Sequence, residues 1–244
     1  MTVRIAMWSG PRNLSTAMMR AFENRADCAV SDEPFYAAYL AETGLDHPMR
    51  DEVLASQPTD WRDVAAALTG LAPGDAPLWY QKHMTHHMLP QFGREWIDAC
   101  RNAFLIRHPD AVLASYVAKR EAVTLADIGV VQQSELFDRV AGRLGAAPPV
   151  IDAADVLADP ARTLGALCSA LRVGFDPAML AWPAGRRDSD GVWAPAWYAA
   201  VEGSTGFAAP DGAREAPALP DRLKGIAEEA EAHYRRLASY RIHG

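Results

Sequence analysis

Cysteine is scarce in this 244-residue chain, and its three copies, Cys28, Cys100 and Cys168, lie far apart. Such scatter supplies neither a disulfide framework nor the paired spacing of a zinc site; the three read as small buried apolar side chains. Long hydrophobic runs are missing as well. No stretch reaches the roughly 18 apolar residues needed to span a bilayer, and no charged-then-apolar leader opens the sequence. Positive charge is outnumbered, with 24 Lys and Arg against 31 Asp and Glu for a formal net charge of −7. A general nucleic-acid surface needs the opposite balance. These absences predict a cytoplasmic protein with neither a nucleic-acid nor a membrane partner. Half of the residues are hydrophobic, enough to fill the core of one large domain over residues 1–244.

What is present is a recurring order of short apolar run, polar turn and helical periodicity. The first instance carries the most chemistry. Val3-Arg4-Ile5-Ala6-Met7 reads as a buried strand, and from Leu14 to Arg25 the residues Leu14, Met18, Met19 and Phe22 repeat at helical spacing. A strand entering a helix through a tight turn points free backbone N–H groups at whatever precedes the helix, with the helix dipole behind them. Arg12 adds a full charge, and Asn13, Ser15 and Thr16 add donors. The run Gly10, Pro11, Arg12, Asn13, Leu14, Ser15, Thr16 therefore reads as a phosphate cradle. It lacks the nucleotide-hydrolase signature G-x-x-x-x-G-K-[ST]. Counted from Gly10, the second glycine, the lysine and the magnesium-binding hydroxyl fall on Ser15, Thr16 and Ala17. The expectation is a nucleotide whose terminal group moves without a metal.

Four further strand candidates deliver polar residues at their ends. Cys28–Ser31 leads to Asp32 and Glu33, and Glu33 is placed on the substrate side. The stretch 36–76, with a helical pattern from Trp61 to Leu71, reads as a substrate-side cover. Pro77–Gln81 delivers Lys82, His83, His86 and His87. His83 and His87 share helical spacing, but no Glu follows the first and no further pair completes a metal site. A general base with a positive charge for a leaving phosphate is the stronger reading. Asn102–Ile106 ends in Arg107-His108-Pro109-Asp110, where Pro109 suits a first helical turn, and Ser115 follows about two turns on. Pro149–Asp152 is a fifth strand, with a helix from Ala161 to Leu171 beyond it. Arg186, Arg187 and the Gly203–Gly206 loop offer further donors, while Trp193, Trp197 and Tyr198 suit an aromatic wall. Residues 208–220 read as a loop and Leu223–Leu237 as an amphipathic helix.

Together these residues resemble the sulfotransferases that use 3′-phosphoadenosine 5′-phosphosulfate. Ser9–Ala17 is similar to the family's phosphosulfate loop, P-K-x-G-T-[ST]-W. Leu105–Tyr116 is similar to its 3′-phosphate motif, R-x-P-x-D-x-x-x-S, with Asp110 one residue early, and Ile151–Trp182 resembles its "E-D-L, D-P, helix, W" region. The resemblance implies a three-layer α/β/α fold with a central, mainly parallel sheet of the P-loop NTPase-like kind. It implies that Arg107 and Ser115 hold the 3′-phosphate, and that Arg12 does the work of the missing cradle lysine. Arg186-Arg187 is a loose substitute for the family's R-K-G loop. The donor would be 3′-phosphoadenosine 5′-phosphosulfate, the partner a small-molecule acceptor, and the base any of His83, His86 and His87; no metal is implied. Three alternatives stand beside it: a nucleotide-binding protein of the same fold with altered chemistry, a kinase-like phosphotransferase, and a Schiff-base enzyme built on Lys82.

Overall fold

The computed structural model describes residues 2–117, 123–207 and 219–243. Five parallel strands form one sheet in the order β2-β3-β1-β4-β5. The strands are β1 (Val3–Ser9), β2 (Cys28–Asp32), β3 (Leu78–Met84), β4 (Arg101–Ile106) and β5 (Val150–Asp152). Parallel neighbours need crossover connections: α1 (Ser15–Glu23) joins β1 to β2, α2 (Tyr36–Thr43), α3 (Arg50–Ser56) and α4 (Trp61–Thr69) join β2 to β3, and α5 (Pro109–Val117), α6 (Leu125–Ile128) and α7 (Val130–Leu144) lie between β4 and β5. α8 (Ala153–Ala158) and α9 (Pro160–Ala170) follow β5. Two single turns, α10 (Ala194–Trp197) and α11 (Ala199–Glu202), precede the closing helix α12 (Asp221–Ala238). Of the loop expected at 208–220, residues 208–218 lie outside the described residues.

Strand alternation divides the core in two. Ile5 and Met7 of β1, Tyr80 of β3, and Ala103 and Leu105 of β4 pack against Met18, Met19 and Phe22 of α1 and Leu164 and Leu167 of α9. Ala6, Trp8, Trp79, Phe104 and Ile106 point the other way, onto Val64 and Leu68 of α4, Leu136 and Phe137 of α7, and Leu237 of α12. The result is three layers, helix, sheet, helix. All five strands end on one edge, and β1 lies between β3 and β4, so the chain leaves β1 on one side and returns to the sheet on both. Crevices at such a reversal are where open α/β sheets hold ligands.

β3 runs further than the sequence pattern suggests. It continues through Lys82 to Met84, and Lys82 pairs in register with Met7 on one side and Asp32 on the other. An ammonium fits inside the sheet because the neighbouring strand end supplies its carboxylate.

Candidate active site

A cavity of about 390 Å³ opens over the strand ends. Pro11 to Ala17 line its floor, Arg107, Ser115 and Tyr116 line one end, and Glu33, Tyr36, His47, Lys82, His86, His87, Trp197 and Tyr198 line the other. Ala200, Val201, Ser204, Gly206 and Phe207 cover it.

The floor is built by the turn between β1 and α1. Arg12 and Leu14 hold left-handed backbone, with φ of 57° and 45°. Leu14 stands where the resembling motif carries glycine, and its conformation is the one glycine adopts most readily. The turn is pinned from beneath by Asn13, whose Nδ2 donates to the Leu105 carbonyl at 2.7 Å. Gln133 of α7 donates to the carbonyls of both Trp8 and Leu105. Gly10 sits behind the cavity against the Ile128 carbonyl, where a Cβ would approach within 2.4 Å. Ser15 and Thr16 open α1 with its unbonded N–H groups facing the cavity.

At the cationic end the structure brings Arg12, Arg107 and Ser115 together. Arg12 Nε donates to Ser115 Oγ at 2.9 Å, and Arg107 Nη1 donates to the Arg12 carbonyl at 2.6 Å. Burial lowers the Arg107 pKa, and the facing Arg12 charge lowers it further. Among the described residues neither guanidinium has an ion-pair partner. Two partly buried cations held side by side are suited to an anion between them.

At the opposite end, Lys82 Nζ is fully engaged. It donates to Asp32 Oδ1 at 2.8 Å, Glu33 Oε1 at 2.6 Å and Tyr198 Oη at 2.6 Å. Asp32 also accepts from Tyr198 and from the Gly191 N–H. Burial alone would drive the Lys82 pKa down; its two carboxylates outweigh that and raise it. Burial raises the pKa of Glu33, opposed by Lys82. Tyr198 is pushed well above the usual phenol range, by burial first and then by the two carboxylates. A lysine held as an ammonium is not a nucleophilic amine, which removes the support for Schiff-base chemistry at Lys82.

The histidines separate. His86 and His87 line the cavity in the turn after β3. His87 stacks on Tyr36 and Tyr39, and burial holds its pKa well below the free value. His83 is turned away from the cavity. It lies on the opposite face of β3, stacked on Trp8 with ring centroids 4.5 Å apart and beside Trp96, because alternation puts it on the side of Trp79. His83 therefore leaves the set of candidate bases. Arg186 and Arg187 are also not brought to the cavity: Arg186 approaches Glu202 at 3.9 Å, and Arg187 donates to the Pro183 carbonyl. Trp193 is buried behind Tyr198, donating its indole N–H to Tyr198 Oη at 3.1 Å. Tyr36 and His47, joined by a 2.9 Å hydrogen bond, come from the stretch 36–76 expected to cover the substrate side, in which the sequence singled out neither residue.

Among the described residues no group of three or more His, Cys, Asp or Glu is arranged to hold a metal, and no helix is long and apolar enough to cross a membrane. A strand–helix turn with two arginines beside it, and titratable groups across a cavity over the strand ends, stand on a parallel three-layer α/β fold. The chain belongs to the sulfotransferase domain family, whose pattern it matches over residues 3–235. It shares the fold of the sulfotransferase domain from the curacin biosynthetic pathway, with a TM-score of 0.60 and 18% identity over 99% of both chains. The sulfotransferase domain of the Synechococcus PCC 7002 olefin synthase gives 0.59 and 19%, over 96% of this chain and 95% of that one. Two Arabidopsis thaliana relatives are more similar in sequence. Branched-chain-amino-acid aminotransferase-like proteins 1 and 2 are 37% and 35% identical over 206 residues, 84% of this chain. The chain spans only 37% and 36% of their lengths.

Proposed function

We propose that the protein moves a sulfuryl group from 3′-phosphoadenosine 5′-phosphosulfate to a hydroxyl or amine of a small molecule. The carrying observation is the Arg12–Ser115–Arg107 cluster at one end of a cavity floored by the α1 N-terminus. Two phosphate-bearing ends of one nucleotide need two cationic, donor-rich places, and the cluster and the cradle supply them side by side. The donor contributes the sulfuryl group, whose S–O bond to the 5′-phosphate breaks as the acceptor attacks.

The chain's own residues then have separate tasks. Arg107 and Ser115 orient the 3′-phosphate, while the N–H groups and hydroxyls of Ser15 and Thr16 hold the phosphosulfate. Arg12 shares its charge between the two, its terminal nitrogens being without hydrogen bonds among the described residues. His86 and His87 are the groups positioned to take the acceptor's proton. Lys82 has all three protons engaged, so its task is to hold Glu33 and Tyr198 in place rather than to meet the leaving oxygen. The aminotransferase in the plant relatives' names stays with those longer proteins. The three free thiols support a reducing, cytoplasmic setting.

The test is binding of adenosine 3′,5′-bisphosphate without magnesium. It should raise the melting temperature, and Arg107→Ala should weaken binding by about ten- to a hundredfold, the loss of a charge-assisted contact. A shift seen only with magnesium and ATP would favour the kinase-like alternative. Binding without transfer to any acceptor would favour a protein with altered chemistry.

A further inference from the structure

The acceptor end of the cavity has more carboxyl groups than cations to pair with them. Two carboxylates, Asp32 and Glu33, meet one ammonium, Lys82, whose side chain is 1% exposed. All three Lys82 protons are engaged, so it has none to offer a ligand. Asp32 is satisfied by Lys82, Tyr198 and the Gly191 N–H, and it does not line the cavity. The unmatched carboxyl is Glu33, the sole one lining the cavity among the described residues; burial favours its neutral form, so a cation beside it is what would hold it as the carboxylate. Its Oε1 is turned to Lys82, and its Oε2 makes no hydrogen bond among the described residues.

Rings surround it. Tyr36, Trp197 and Tyr198 line the same end. Trp197 is half-buried, and among the described residues no ring stacks on it and its indole N–H has no partner. A cation placed here would meet the Glu33 carboxyl, whose charged form it favours, and aromatic faces beside it add attraction. The cavity is thus polarised, arginines at the nucleotide end and carboxylate with aromatic faces at the other.

We propose that the acceptor is a small organic cation, an alcohol or phenol bearing an ammonium or quaternary ammonium group, whose nitrogen is held by Glu33 and the Trp197 ring. This rests on the sulfotransferase reading and narrows it. A protonated or quaternary nitrogen has no lone pair to attack sulfur, so the nitrogen anchors the molecule and a hydroxyl elsewhere on it receives the sulfuryl group. Glu33 is a specificity residue here, and proton removal stays with the histidines.

The experiment uses matched pairs that differ in charge and little else: choline against 3,3-dimethylbutan-1-ol, and tyramine against 4-propylphenol. Calorimetric titrations are run on the full chain with and without adenosine 3′,5′-bisphosphate. In at least one pair the cation should bind at least about tenfold more tightly than its neutral partner. Glu33→Gln should abolish that preference while keeping bisphosphate binding, which also reports that the variant is folded. Trp197→Leu should weaken the cation several-fold and leave the neutral partner unchanged. The inference is overturned if the neutral member binds as well or better in both pairs, or if Glu33→Gln retains the preference. It is also overturned if turnover of a cationic acceptor by Glu33→Gln loses kcat at unchanged KM, since Glu33 would then act as the base. A native chain that shows the charge preference, lost in Glu33→Gln, but binds no bisphosphate would instead overturn the sulfotransferase reading alone.

Discussion

The His83 imidazole shows how one residue's surroundings decide its role. It is 1% exposed, stacked on Trp8, with Gln81 Oε1 at 3.3 Å as its polar neighbour. Burial pushes its pKa down to about 3. The unfolded chain takes up a proton near the ordinary histidine pKa of about 6.5, and the folded chain refuses it until far lower. Its contribution to stability is therefore complete above about pH 6.5 and declines as the pH falls toward 3. Between pH 6.5 and 4 the loss is at most about 3 kcal/mol. His83→Leu removes this dependence, so urea midpoints of the variant should fall less steeply over that range than those of the native chain. Parallel slopes would contradict the assignment. In the sequence His83 is hard to tell from His86 and His87, because the apolar run ends before Lys82 and all three follow it. The strand in fact extends to Met84, and it does so because Asp32 neutralises Lys82 from 50 positions away.

The phosphate turn depends on how closely one element approaches another. Gly10 lies under the end of α6, and a Cβ there would sit 2.4 Å from the Ile128 carbonyl, a backbone atom that cannot swing aside. Gly10→Ala should thus separate the turn from α6, costing about 1–3 kcal/mol and weakening adenosine bisphosphate because Pro11 to Thr16 shift with it. Gly142, on the exposed face of α7, meets nothing within 4 Å, and Gly142→Ala should stabilise by about 0.5–1 kcal/mol. Melting curves and calorimetry on the pair separate a packing effect from a general tolerance of alanine. Much of the element order was legible, although α7 was not read. Strand–turn–helix order, the Pro109 helix start and the amphipathic last helix all follow from local patterns; Arg12 and Arg107 stood out at strand–helix turns, and the family resemblance paired Ser115 with Arg107. Leu14 marks a limit: its apolar side chain continues the α1 pattern, yet its left-handed backbone makes the helix begin at Ser15.

The molecule closes its cavity with contacts between parts of the chain that local pattern cannot pair. Asp32 Oδ2 accepts from the Tyr198 hydroxyl at 2.7 Å across 166 positions, and from the Gly191 N–H at 3.0 Å across 159. This explains why the sheet could be anticipated and the cover could not. Each strand carries its own alternation, whereas the segment from Gly191 to Phe207 is defined by what it touches. It also identifies Tyr198 as the bolt between cover and sheet. Removing its hydroxyl leaves buried Asp32 and Lys82 each short of a partner, at a cost of about 1–3 kcal/mol. That loss should fall on the cover first, because α10 and α11 are single turns, while β1 to β4 are knitted into one ladder. Tyr198→Phe should therefore speed amide exchange in residues 191–207 by about tenfold or more, with β1 and α1 exchanging as before. Bisphosphate binding should persist, since Arg12, Arg107 and Ser115 are bonded to one another and not to the cover. Equal acceleration throughout the chain would mean that the bolt supports the whole fold, and unchanged exchange in 191–207 would mean that the cover is held by its buried Trp193 and Ala194 instead.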